Sequence, residues 1–409
     1  MKKVIIGLSI ISLLFIGYVC IDFATDIYRQ HPVSEEKNQK ETQKSQQQAD
    51  AKQGEKKEEK KKNTPEDAKI TLVAVGDNLM HENVIETGKK QGGTYQYDCL
   101  FENITEDLKK ANLSVINQET IFGGDQAGFS AYPKFNSPSA VGDAEVKAGF
   151  NVILHASNHV TDMQAEGVEN CLNFWKTKHP KTTVLGINAS KKAQNTIPVV
   201  EKNGIKVAML NYTYGTNGNT VLGTEKGYLV NYLDEKRVAS DIKKAKKKAD
   251  FVIVFPHWGT ENVSDITQDQ VKYAQIMSDA GADLIIGTHP HVLQKVQWVK
   301  GKNGNRTLCY YSLGNYISGQ NQLLQILGGM ARVTIERKDG VTKITGGKLV
   351  PLATYYNWNT NVTRTYKLSQ CPDDFASTHT IRRYVGNFTT KELKQKAIEL
   401  VGKRWIASK

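Results

Sequence analysis

The sequence predicts an α/β protein in which an apolar sheet is covered by helices, and three observations lead there. Short runs rich in Val, Ile and Leu recur along the chain, as in 70–75 (ITLVAV), 151–154 (NVIL) and 251–255 (FVIVF). Helical spacing separates most of them, and fully apolar strands alternating with helices mark a sheet buried on both faces. Finally, five of the runs end at once in a residue able to bind metal or shuttle a proton. In such sheets ligands collect beyond the carboxyl ends of the strands.

The chain has 409 residues, 39% hydrophobic and 8% aromatic, which is ordinary for a globular protein and enough for one large domain or two smaller ones. Residues 1–30 stand apart. Lys2 and Lys3 precede an apolar run over residues 4–21, which as a helix would cover about 27 Å, close to the thickness of a bilayer's hydrocarbon core. Gly17, Tyr18 and Val19 before Cys20 make a poor lipoprotein signal, and Asp22, Phe23 and Ala24 make a poor cleavage site, so an uncleaved single-pass anchor is expected. The lysines place the amino end in the cytoplasm and the rest of the chain outside the cell membrane. Residues 31–67, rich in Lys, Glu and Gln, have almost nothing to bury and are expected to form a disordered charged linker.

The formal net charge is +12. The anchor holds 3 basic and 2 acidic residues and the linker 9 of each, so +11 lies from Ala68 onward. A basic domain outside a membrane suits an anionic partner such as an acidic polymer or a phosphate ester. Nucleic acid is not expected, because no stretch interleaves aromatic and basic residues as a stacking platform would. Cys99, Cys171, Cys309 and Cys371 lie on the expected oxidising side, with no C-x-x-C pair, and are read either as buried thiols or as carrying one long-range disulfide.

From Ala68 the elements follow in order. Strands are expected at 70–75, 113–116, 151–154 and 182–185, with helices at 101–111, 143–148 (stopped by Gly149) and 166–176. Asn203-Gly204 joins 197–201 to 205–212 as a hairpin. A lysine-rich helix at 234–248 leads to the strand 251–255, a helix at 267–280 to the strand 284–286. Turn-separated β runs follow at 292–299, 307–311, 331–337 and 341–349, with Asp339-Gly340 as a second hairpin turn, and a helix at 390–401 closes the chain.

The strand ends deliver Asp77, Glu119, Asn158 with His159, His257, and His289 with His291. Imidazoles combined with carboxylate and amide oxygens suit Zn, Mn or Fe better than Mg or Ca. Two such ions could clamp the attacking and leaving oxygens of a phosphoryl or acyl transfer. Trp258 and Glu261 flank His257 and are candidate pocket residues, with packing beneath the site as the other reading of Trp258. Asp162 either orients His159 or caps a helix, and Lys134, in the loop 132–138 (YPKFNSP), could meet an anionic substrate.

These residues also carry a resemblance. The motifs Gly76-Asp77-Asn78-Leu79-Met80, Asn117-Gln118-Glu119, Ser157-Asn158-His159-Val160-Thr161-Asp162, His257-Trp258-Gly259-Thr260-Glu261, 281–294 (GADLIIGTHPHVLQ) and Tyr311-Ser312-Leu313-Gly314-Asn315-Tyr316 resemble, in order and spacing, those of the CapA or PgsA family of capsule and poly-γ-glutamate synthesis proteins. The resemblance covers roughly 69–318 and implies a four-layer α/β/β/α sandwich like that of calcineurin-like metallophosphoesterases; the domain is expected at 68–352, with 353–409 as a C-terminal extension packing on it. It further implies Asp77, Glu119, Asn158, His257, His289 and His291 as ligands of one or two divalent transition-metal ions, with Glu119 as the bridging carboxylate, and His159 as proton donor to a leaving group. It implies a membrane-anchored component working with membrane-embedded synthase subunits on anionic poly-γ-glutamate; the other reading is a metal-dependent hydrolase of a phosphoester or of the polymer's amide bond. The sequence departs from the enzymes in two places: Leu79 stands where D-x-H has its histidine, and Asn117-Gln118-Glu119 replaces G-D-x-x-D. His81 is the nearest alternative imidazole.

Overall fold

The computed structural model describes residues 66–407. The expected anchor, and the expected linker up to residue 65, lie outside them; among the described residues no helix is long and apolar enough to cross a membrane.

Two sheets face one another. In the first, β1 (Ala68–Asn78), β2 (Leu113–Gln118), β3 (Val152–Leu154) and β4 (Thr183–Leu185) run parallel. In the second, β5 (Val199–Lys202), β6 (Ile205–Thr213), β7 (Phe251–His257), β8 (Leu284–Ile286), β10 (Arg306–Tyr310) and β9 (Val296–Lys300) are neighbours in that order. The first sheet continues past β1 through antiparallel β12 (Leu327–Lys338), β13 (Val341–Asn357) and β14 (Val362–Lys367), while short β11 (Asn315–Ile317) pairs with the end of β1.

The apolar runs are uninterrupted because each strand buries both faces, and side chains alternate across a strand. In β1, Ile70, Leu72 and Ala74 enter the layer between the sheets with Val207, Met209, Ile253 and Phe255. Val73 and Val75 point the other way, into a second core with Val141, Val168 and Trp175 from the helices Ala140–Ala148 and Gln164–Lys178. Across the second sheet, Ala208, Val252 and Val254 meet Val238, Ile242 and Met277 from the helices Glu235–Lys246 and Gln268–Ala280. Each fully buried aliphatic side chain contributes about 1.5–3 kcal/mol.

Both expected hairpins form, with Asn203, Gly204, Asp339 and Gly340 all at positive φ. The helix expected at 101–111 begins only at Thr105. β13 passes through Leu352 without a break and β14 pairs with it, so the segment after 352 starts as part of the first sheet. Cys99, Cys171, Cys309 and Cys371 are all free thiols.

Candidate metal centre

The carboxyl ends of both sheets meet at one place, and local backbone devices aim the side chains into it. β1 carries an irregularity between Val75 and Asp77 where it pairs with β2, and such bulges re-aim a strand's side chains. Gly76 permits it: a Cβ there would stand 1.8 Å from the Gly314 carbonyl oxygen. After the bulge Asp77 pairs with Asn117 of β2, and at the end of β7 His257 bridges to Thr288. His289 and His291 follow at φ 99° and 60°. Positive φ is costly for a residue with a Cβ, and such strain gathers at functional sites.

Asp77 accepts a hydrogen bond from Asn117 Nδ2 at 2.8 Å and is approached by the His289 backbone N–H at 3.2–3.3 Å and by His291 Nδ1 at 3.1 Å. Glu119 Oε1 lies 3.7 Å from His291 Nε2 and 3.8 Å from His257 Nε2. Asn158 Oδ1 is 2.9 Å from His257 Nε2, and Thr288 Oγ1 is 3.0 Å from His257 Nδ1. Asp77, Glu119 and His257 form one set of potential ligands and Glu119, His289 and His291 another, the donor atoms of each within 4.8 Å. Glu119 is common to both.

A cation fits this arrangement for a specific reason. Among the described residues both Glu119 carboxylate oxygens, Asn117 Oδ1 and His289 Nδ1 are buried without a hydrogen-bond partner, and buried polar atoms rarely go unsatisfied. Burial, then the negative charges of Asp77 and Glu261, hold the Glu119 carboxyl well above the usual range. Burial and the neighbouring imidazoles hold His257 and His289 well below theirs, so those rings stay neutral and do not offset the carboxylates. The 2.9 Å between His257 Nε2 and Asn158 Oδ1 also suits adjacent ligands each about 2.1 Å from one ion.

The remaining expected residues take distinct places. His159 is buried at the edge of the site, its Nδ1 2.7 Å from Asp162 Oδ2, and Asp162 also accepts from the Phe135 backbone N–H at 2.8 Å. Asp162 therefore fixes the imidazole; Met163 is the N-cap of the next helix. Exposed Glu261 brings Oε1 to 3.5 Å from Asn158 Nδ2. Trp258 takes the second of its two expected places, beneath the site in the core between the second sheet and its helices, where its Nε1 donates to the Tyr311 carbonyl at 2.9 Å. Lys134 is exposed on its loop, next to Phe135, whose ring meets His159 edge-on at 4.7 Å. His81 lies close by, with its ring against Phe135 at 5.4 Å, its Nδ1 accepting from the Gly319 N–H at 3.2 Å, and its pKa lowered by burial to about 4.

Three contributors escaped the sequence reading. Asn117 shares a strand face with Glu119 two residues on, and that period-two relation was the available signal. Thr288 directly precedes the strained histidines. Tyr214, just past the end of β6, lies 4.6 Å ring to ring from His289, and its backbone N–H donates to the His257 carbonyl.

The chain is similar in sequence to known proteins. The capsule biosynthesis protein CapA of Bacillus anthracis is 30% identical over 263 residues, covering 62% of this chain and 61% of that one. The PGA biosynthesis protein CapA of Bacillus subtilis (strain 168) is 33% identical over 171 residues, 42% and 43% of the two chains. The match therefore spans less than two thirds of either relative. Among solved structures, the calcineurin-like phosphoesterase YfkN from Bacillus subtilis is 12% identical with a TM-score of 0.40, over 82% of this chain and 99% of that one. Residues 71–320, more than half of the chain, match the family described as bacterial capsule synthesis protein PGA_cap, and the chain belongs to that family.

Proposed function

We propose that this protein is a metal-dependent component of poly-γ-glutamate capsule synthesis, held by residues 1–30 at the outer face of the cell membrane beside membrane-embedded synthase subunits. The family supports the polymer and the +11 domain suits a polyanion. The observation that carries the site chemistry is Glu119, buried with two unpartnered oxygens among three histidines.

In this reading Asp77, Glu119, Asn158, His257, His289 and His291 hold one or two divalent transition-metal ions. Such an ion supplies Lewis acidity, polarising a phosphoryl or acyl oxygen and lowering the pKa of water. Asn117 and Thr288 fix the orientation of Asp77 and His257. His159, oriented through Nδ1 by Asp162, would in its imidazolium form give the Nε2 proton to a departing group and be left as the neutral ring. That dyad favours a second reading, hydrolysis of a phosphoester or of the polymer's own amide bond, over simple retention of the chain.

The test is a capsule-forming host in which the gene copy is replaced by Glu119→Gln, by His159→Ala, or by a version secreted without residues 1–30. Surface polyglutamate should fall sharply in all three. Normal polymer from both point variants would remove the site from the pathway, and normal polymer from the secreted form would remove the anchored role.

A further inference from the structure

Beside the metal centre runs a groove of about 500 Å³ that no part of the proposed chemistry uses. It is lined by His81, Glu82, Asn83, Glu86, Ala131, Tyr132, Gly319, Trp358 and Asn361, of which His81 and Tyr132 reach the site through Phe135, whose ring also touches His159. The volume falls in the range of small-ligand pockets, roughly 300–1,000 Å³.

Two large aromatic side chains are left open there: Tyr132 is 74% exposed and Trp358 41%. The Trp358 ring is held in place by stacking on Tyr356 and by the edge contact with Tyr384. Between the aromatics the lining offers both kinds of hydrogen-bonding group. Glu82 and Glu86 accept. Asn83 Nδ2 is a donor that is buried and has no partner among the described residues. The Asn83 side chain reaches this position because residue 319 is glycine; a Cβ there would come within 2.0 Å of Asn83 Oδ1.

The charge of the lining excludes the obvious occupant. His81 is neutral, Lys89 is paired with Glu86, and the two remaining cations nearby, Arg383 over the Trp358 ring at 5.9 Å and exposed Lys134, both lie outside the lining. Within the lining itself a polyanion would meet two carboxylates and no cation. An organic cation would suit the carboxylates and rings but leave Asn83 Nδ2 without an acceptor. A neutral pyranose meets every requirement, since its C–H face lies flat on an aromatic ring and its hydroxyls both donate and accept.

We infer that this groove binds a neutral saccharide of one or two pyranose rings, stacked on Trp358 and Tyr132 and hydrogen-bonded by Asn83, Glu82 and Glu86. The groove would seat the protein on glycan while the metal centre handles the anionic polymer. The inference is independent of any metal.

The probes are N,N′-diacetylchitobiose and cellobiose, titrated at millimolar concentration into the full chain and followed by tryptophan fluorescence and calorimetry. Tri-γ-glutamate and cadaverine serve as anionic and cationic comparisons, with and without chelator. At least one disaccharide should bind and perturb Trp358, the most exposed of the five tryptophans. Trp358→Ala and Tyr132→Ala, both surface changes, should each weaken binding by about two- to tenfold, and Asn83→Leu should weaken it as well. Binding that survives the chelator would stand even if the metal centre failed its own test. Binding of neither disaccharide, affinity unchanged in both aromatic variants, or tighter Trp358-dependent binding of cadaverine or tri-γ-glutamate would overturn the inference.

Discussion

The two walls of the candidate metal centre come from different sheets and carry different chemistry. The first sheet contributes oxygen, through Asp77, Asn117 and Glu119 at the ends of β1 and β2 and Asn158 just past β3. The second contributes nitrogen, through His257 at the end of β7 and His289 and His291 after β8. Burial raises the Glu119 pKa and lowers those of His257 and His289, so neither wall neutralises the other by proton exchange. Each wall is poorly satisfied alone. A divalent cation between them would relieve both, which is what makes the site a candidate metal centre.

The sharpest way to break this comparison is Glu119→Gln, which removes the carboxylate common to both ligand sets. Loss of an outer-shell partner typically costs 10–100-fold in metal affinity, so loss of this ligand should exceed about a hundredfold. The same change replaces a buried carboxyl that the metal-free protein is stabilised in keeping protonated by an amide that never ionises, and the metal-free variant should melt higher than metal-free wild type above the ordinary carboxylate range. Competition titration and differential scanning fluorimetry read the two effects. A smaller expected effect separates the walls. His289→Ala takes an assigned ligand from the nitrogen wall, whereas Asn117→Ala takes the hydrogen bond that orients Asp77 and an unpartnered amide oxygen but none of the assigned ligands; isothermal titration should show the first weakening metal binding more, the second by about tenfold.

The weakest expected effect lies behind the oxygen wall. Glu145 is fully buried and bonded to Asn78, its carboxyl raised by burial to about 8. Its folded-state pKa exceeds its unfolded value, so the folded form holds a proton that the unfolded form releases between the ordinary carboxylate range and about 8; stability is lost as pH rises through that window. Glu145→Gln should flatten this dependence, giving little change in Tm at pH 4.5 and a higher Tm than wild type at pH 8. Equal pH slopes for the two proteins would show that Glu145 is not the titrating group.

Much of this was legible in the sequence where an apolar run ended in a polar residue. β7 and β8 are apolar up to their ends, and the polar residues that follow could be read directly as one edge of a sheet. The illegible parts share a different cause. β14 reads VTRTYK, with threonines in the seats that apolar residues fill elsewhere. Thr363 and Thr365 are buried because their hydroxyls bond to Thr87 Oγ1 and to the Tyr316 carbonyl, so a buried face looked polar. Asn117 was hidden inside a strand, and Tyr214 followed a run that ended in residues with no metal-binding character. Trp258 was legible only as a choice between lining the pocket and packing beneath it; its indole lies in the core, where its N–H meets the Tyr311 carbonyl.

Metal content, measured on the full chain purified without chelator beside Glu119→Gln and His289→Ala, tests the site most directly. Inductively coupled plasma mass spectrometry should find one or two equivalents of Zn, Mn or Fe in the wild type and a marked loss in both variants, with chelation lowering the wild-type Tm alone. A wild type free of transition metal that neither takes up added ion nor gains stability from it would contradict the account.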